Sequence, residues 1–164
     1  MTQLPPLAFE NKIVARSSLT CRIQLLARPL VFTNGVFDIL HRGHVTYLSR
    51  ARALGASLVV AVNSDTSVES LGKGDDRPFN SEKDRAAVVA ALECVTLVTI
   101  FSEQVPLEVL EVVRPDFYVK GGDYEMAAIP ESVLVERWGG RELAIAIEHE
   151  RSSTSLIARV RGLS

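Results

Sequence analysis

His41 and His44 stand three residues apart with Gly43 between them. They follow an apolar run, Leu30-Val31-Phe32, that stops at the polar corner Thr33-Asn34-Gly35-Val36-Phe37-Asp38. Side chains at i and i+3 of a helix start can point the same way. Gly43 removes a side chain where a phosphate has to come close to the backbone. The first turn of a helix adds N–H groups without intrahelical partners and a partial positive charge. The combination suits a triphosphate whose α-phosphorus is under attack, because charge builds on the phosphoryl oxygens and preorganised donors stabilise it there. Zinc is the competing reading of a histidine pair. A zinc site needs three or four ligands, and the chain adds only His149 and two distant cysteines, Cys21 and Cys94. No metal held by the protein alone is expected.

Other residues carry weaker signals of the same kind. Gly35 lets the chain turn tightly against a ligand, and Phe37 packs under the loop. Asp38 brings a carboxylate toward the phosphates, to help hold Mg²⁺ or a substrate hydroxyl or amine; capping of the next helix is the compatible alternative. Ser152, Ser153, Thr154 and Ser155 follow Arg151. They read as an anion site at a helix start or as an ordinary cap. Lys73, between Gly72 and Gly74, reads as a mobile lysine that closes over phosphates or as a solvated loop. Arg85 reads as a phosphate contact or as a helical partner of Ser81 or Glu82. Lys120, Gly121, Gly122 and Asp123 read as a close approach to a polar substrate or nucleotide, or as a β-turn.

The elements that must position these residues alternate. Strands are predicted at 30–33, 57–63, 95–101, 116–120 and 143–147. Helices are predicted at 44–54, 81–92, 105–113 and 129–138, with a last one beginning near Ser152 or Ser153. The 57–63 run is continuously apolar before it ends in polar residues, the pattern of a strand buried on both faces. This predicts an α/β fold: a single Rossmann-like domain with a doubly wound, five-stranded parallel sheet. Its polar corners lie at the carboxyl ends of the strands, where such sheets bind ligands. Residues 1–28 read as an N-terminal arm or short helix, and 29–164 as the domain proper. The Gly-x-Gly-x-x-Gly fingerprint and the Walker A pattern are both absent.

The chain has 164 residues, 47% hydrophobic and 23% charged, with a formal net charge of -2. That size fits one domain, and the charge argues against nucleic acid as the main partner. No apolar run reaches the roughly 18 residues of a membrane span. The N-terminus lacks the pattern of a secretory signal. Two unclustered cysteines fit reduced thiols in the cytoplasm.

Thr33-Asn34-Gly35-Val36-Phe37-Asp38 with His41-Arg42-Gly43-His44 resembles the cytidylyltransferase-like nucleotidyltransferases of the HIGH-motif superfamily. Ser152 to Ser155 stand where that family has its second phosphate motif. More narrowly, Phe32–Leu48, the segment from Asp75 to Leu92, and Arg114–Tyr124 look like the adenylyltransferases of ADP-heptose synthesis. The resemblance covers about residues 30 to 162. Val36 stands where the family often has cysteine. The resemblance implies an enzyme that transfers AMP from ATP, with Mg²⁺, to heptose 1-phosphate for lipopolysaccharide core assembly. His41 and His44 would stabilise the α-phosphoryl transition state. Thr33 and Asn34 would line the phosphates, with Gly35, Phe37, Gly43 and Arg85 on the nucleotide side. Ser152 to Ser155 would hold the β- and γ-phosphates. Asp38 and the Lys120–Asp123 segment would stand near the sugar phosphate. In many bacteria this domain is fused to a sugar kinase; here it would stand alone, with a separate heptose kinase upstream and a homodimer as the expected type of assembly.

The phosphate motifs alone leave the acceptor open. Glycerol 3-phosphate with CTP, or phosphopantetheine with ATP, would use the same chemistry. A nucleotide-sensing module without catalysis is the alternative of another class, and the intact histidine pair argues against it.

Overall fold

Every residue from Ser57 to Asn63 is buried. Side chains of a strand alternate between its two faces, so such a run requires helices on both faces of the sheet. The computed structural model, which describes residues 7–72, 77–122, 129–146 and 162, has that arrangement. Five strands, β1 (Leu30–Gly35), β2 (Ser57–Asn63), β3 (Leu97–Phe101), β4 (Phe117–Gly121) and β5 (Arg141–Ile145), pair in parallel throughout. Their order in the sheet is β3-β2-β1-β4-β5. The helices are α1 (Arg16–Ile23), α2 (Arg42–Ala53), α3 (Asp65–Ser70), α4 (Glu82–Ala90), α5 (Leu107–Val113) and α6 (Pro130–Glu136).

Alternate strand residues feed two cores. Leu30, Phe32, Val59, Ala61, Leu97 and Tyr118 pack with Leu19 of α1, Val109 and Leu110 of α5, and Val135 of α6. Val31, Leu58, Val60, Val62, Val98 and Val119 face the other way, against Leu48 and Ala51 of α2 and Ala86 and Val89 of α4. Burial of each large apolar side chain contributes about 1.5–3 kcal/mol before entropy is counted. The N-terminal segment closes the β3 edge. Ile13 bridges Val98 in parallel, the Val14 N–H donates to the Val98 carbonyl at 2.8 Å, and the Thr99 hydroxyl donates to the Val14 carbonyl at 3.0 Å. An open strand edge is thereby covered.

One boundary and one additional element differ from the sequence expectation in ways that matter for the site. β1 continues to Gly35, so Thr33 lies inside the sheet and not at its end. The extra helix α3 follows β2 directly. It is short and polar, without an apolar stripe to announce it; its signal is the cap, the Ser64 hydroxyl accepting from the Ser67 N–H at 3.1 Å. The last predicted helix and residue 147 of the predicted fifth strand lie outside the described residues.

Arg85 on α4 corrects another expectation. Its side chain is fully buried. Nε donates to the Asn80 carbonyl at 2.9 Å, Nη1 to the Val36 carbonyl at 2.6 Å, and Nη2 to Asp65 Oδ1 at 2.7 Å. A guanidinium with no exposed surface touches no ligand. Its planar fork suits the task of tying the loop after β1, the segment before α4 and the start of α3 together. The Ser81 or Glu82 side-chain pairing is not found, and the burial of the guanidinium argues against the phosphate contact.

Replacing Arg85 by Met leaves two carbonyls and a carboxylate without their donor. Urea unfolding is expected to show a loss of about 2–4 kcal/mol, with the ATP affinity of the folded protein little changed. Full stability combined with a large loss of ATP affinity would reinstate Arg85 as a phosphate ligand.

Candidate active site

The chain runs outward from β1 to β2 and β3, then returns across the sheet to place β4 on the other side of β1. Connections therefore leave β1 and β4 in opposite directions and open a crevice beyond their carboxyl ends. A cavity of about 330 Å³ lies there. Residues 34–37 line it from the end of β1, His44 and Tyr47 from α2, and Lys120 and Gly121 from β4; Asn63, Leu71 and Gln104 complete the wall.

The start of α2 sets the chemistry of the two imidazoles. His41 is the N-cap residue, and its Nδ1 accepts the Gly43 N–H at 3.1 Å. In the reciprocal contact His44 Nδ1 accepts the His41 N–H, at a longer 3.4 Å. A nitrogen that accepts carries no proton, and a neutral imidazole has only one N–H. Both rings are thereby held as Nε2–H tautomers, each with one donor to offer. The ring centroids are 4.0 Å apart. Phe37 supports the pair with its ring edge-on to His44 at 5.6 Å. To do so it adopts φ +50°, left-handed backbone that costs a bulky residue on the order of 1 kcal/mol or more. Gly35 makes room: a Cβ there would come within 3.0 Å of the Phe37 ring. Gly121 does the same on β4, where a Cβ would stand 3.2 Å from the Tyr47 ring.

The structure brings Asn34, Gly35, Phe37, His44, Lys120 and Gly121 to one cavity, with His41 against His44. Gly43 is buried in the first turn of α2. Thr33 is not in the wall. It is fully buried, with its hydroxyl 2.6 Å from the Tyr47 hydroxyl. Tyr47 donates its one proton to the Val119 carbonyl at 3.0 Å, so Thr33 is the donor in that pair and its role is to fix Tyr47. Asp38 also departs from expectation. Its nearly inaccessible carboxylate accepts the Phe79 N–H at 2.9 Å and the Asn80 N–H at 3.0 Å, and pairs with Arg77 at 3.2 Å. It anchors the segment before α4, and its burial leaves almost no surface for a metal or a sugar. Gly122 adopts φ +124°, and its N–H donates to the Ile145 carbonyl at 2.9 Å. Lys73, Asp123, His149 and Ser152 to Ser155 lie outside the described residues.

Tyr47, Asn63 and Gln104 belong to the wall but were not picked out from sequence. Two had a usable signal. Tyr47 is three residues beyond His44 on the same helix, and Asn63 is the polar end of an apolar strand. Among the described residues no group of three or more His, Cys, Asp and Glu could hold a metal ion. Among them, too, no helix is long and apolar enough to cross a membrane.

The sequence pattern of the cytidylyltransferase-like family matches residues 32–160. A D-beta-D-heptose 1-phosphate adenylyltransferase of Bordetella bronchiseptica is 58% identical over 155 residues, which is 93% of this chain and 96% of that protein. The bifunctional protein HldE of Syntrophotalea carbinolica is 45% identical over 94% of this chain, and the match spans 32% of its own length. Among solved structures, a lipopolysaccharide core biosynthesis protein of Thermoplasma volcanium superposes with a TM-score of 0.62 at 29% identity, covering 74% of this chain and 98% of that one. A pantoate-beta-alanine ligase of Francisella tularensis, at 12% identity and a TM-score of 0.61 over 93% of this chain and 73% of its own, shares the fold.

Burial holds the histidines neutral. It lowers the pKa of His41, and lowers that of His44 from 6.5 to about 4, with the adjacent His41 charge as the second cause. The unfolded chain therefore takes up a proton near pH 6.5 that folded His44 refuses until about pH 4. The stabilisation is complete above pH 6.5 and declines as pH falls through that window. Chemical denaturation between pH 7 and pH 4 is expected to show this decline, and His44→Gln is expected to make it shallower. An identical pH slope in the variant would contradict the burial of a neutral ring.

Proposed function

Because this chain belongs to the cytidylyltransferase-like family and is a nucleotidyltransferase, we propose that it transfers AMP from ATP to D-β-D-heptose 1-phosphate, releasing pyrophosphate and forming ADP-heptose for lipopolysaccharide core assembly. The 58% identity to the Bordetella enzyme over nearly the whole of both chains carries the choice of acceptor. The histidine pair carries the choice of reaction.

In the proposed step a phosphate oxygen of the acceptor attacks the α-phosphorus of ATP. A P–O bond forms, the bond from the α-phosphorus to the bridging oxygen breaks, and pyrophosphate leaves with that electron pair. The acceptor is already an anion at neutral pH, so the step needs no general base. What the protein must supply is position and relief of charge. The Nε2–H groups of His41 and His44 are suited to donate to the α-phosphoryl oxygens as their charge grows. As neutral donors they add no fixed charge that would hold the ground state equally well. Lys120, which lines the same cavity as His44, is suited to the phosphate of the acceptor, and Gly121 lets that phosphate approach the backbone. Mg²⁺ enters with the substrate, bound to the triphosphate of ATP. Ser152 to Ser155 remain the proposed anchor of the β- and γ-phosphates, and Lys73 a lysine that closes over them. A kinase acting at the sugar C1 must supply the acceptor. The need for ATP supports a cytoplasmic location.

Pyrophosphate release measured over a panel of acceptors tests the reading. Turnover is expected with heptose 1-phosphate and ATP, and little with glycerol 3-phosphate and CTP or phosphopantetheine and ATP. The opposite ranking would refute the acceptor, and tight ATP binding without turnover of any acceptor would favour a sensor. His44→Ala is expected to lower kcat by roughly 10²-fold or more while changing ATP affinity far less. An unchanged kcat would remove the histidine from the mechanism.

A further inference from the structure

Behind the cavity wall lies a carboxylate that the proposed chemistry does not use. Glu131 is in the first turn of α6 with its side chain only 7% exposed. Its Oε1 accepts the Tyr118 hydroxyl at 3.0 Å and lies 3.5 Å from Lys120 Nζ. The Tyr118 oxygen is also 3.0 Å from Asn34 Oδ1, and Lys120 Nζ stands 5.6 Å from the Tyr118 ring centroid. Asn34 and Lys120 both line the cavity. The polar chain Asn34–Tyr118–Glu131–Lys120 thus starts and ends in the wall and passes through Glu131 behind it. A buried ion pair adds little net stability, since desolvation offsets the attraction. Beyond the favourable place of an acid in the first turn of a helix, the ion pair itself is a weak reason for a buried carboxylate here.

We propose that Glu131 is a positioning residue for the acceptor side of the reaction, holding the Lys120 ammonium against the cavity wall where the phosphate of the acceptor must arrive. This rests on the reading of Lys120 as the contact of the acceptor phosphate. A lysine has a flexible four-carbon stem and a compact charge. Left without a counter-charge it would follow whichever phosphate is nearest, including those of ATP. With Glu131 behind it, the ammonium is held at β4 and meets the incoming phosphate in front. The pair is neutral in the empty site, so it raises the affinity for stray phosphates less than a bare lysine does. The Tyr118 hydroxyl orients the carboxylate, and its ring bounds the space in which the ammonium can move.

A double-mutant cycle on the full chain, with heptose 1-phosphate and ATP as substrates, tests this. Lys120→Met is expected to lower kcat/KM for the sugar phosphate about 10²-fold with the KM for ATP within about twofold. Glu131→Gln keeps size and an acceptor for Tyr118 but removes the charge. It is expected to lower kcat about 10-fold, with the KM for sugar phosphate unchanged or lower because the site is more positive. In the Lys120→Met background the same substitution is expected to cost less than about twofold. Glu131→Asp, which keeps the charge on a shorter arm, is expected to retain more activity than Glu131→Gln. A Glu131→Gln enzyme with wild-type kcat, or the same loss in both backgrounds, would overturn the proposal while leaving Lys120 in its role. A Lys120→Met enzyme with wild-type kcat/KM would sink both. If Glu131→Gln does not fold, the comparison of Glu131→Asp in the two Lys120 backgrounds reads the same coupling.

Discussion

A helix start exposes backbone N–H groups that the helix cannot satisfy from within. At the start of α2 the acceptors of the two cap contacts are histidine Nδ1 atoms, and this local constraint decides the state of the site. Each ring spends one nitrogen on the backbone and keeps the other as a neutral donor. Burial acts in the same direction by keeping a second proton off each ring. A capping box normally serves helix stability. Here it also selects a tautomer, and the site's donors follow from it.

The surrounding structure holds that corner rigid. Asp38 and Arg85 are buried and bind backbone groups of the 36–38 and 79–80 segments, one as acceptor and one as donor. Phe37 is held between these anchors in a backbone conformation it would not choose alone. The strain is consistent with its place against His44. Thr33, Tyr47 and Val119 link β1, α2 and β4. The helix that carries the histidines is thus tied to two strands of the sheet through short contacts, which is what catalysis by positioning demands.

The fold was legible because its signals are periodic and repeated. Buried parallel strands read as apolar runs, and the polar corners marked the end of the sheet that binds ligands. The histidine pair was legible because i, i+3 spacing at a helix start is itself a geometric statement. Spacing says nothing of which way a side chain turns, and there the sequence reading went astray. Thr33, Asp38 and Arg85 all lie near the site, yet each turns inward to bind protein. Their contacts join residues far apart in sequence, such as Asp38 with Phe79 and Arg85 with Asp65. Glu131 was invisible for the same reason, since nothing local ties the start of α6 to the end of β4.

The nitrogen states of the two imidazoles test the account at its root. ¹⁵N NMR of the ring nitrogens in the free protein at pH 7 reads them directly. Both His41 and His44 are expected to be neutral, with Nε2 protonated and Nδ1 bare. A proton on Nδ1 of either ring, or an imidazolium at that pH, would contradict the cap-imposed tautomer and the donor role built on it.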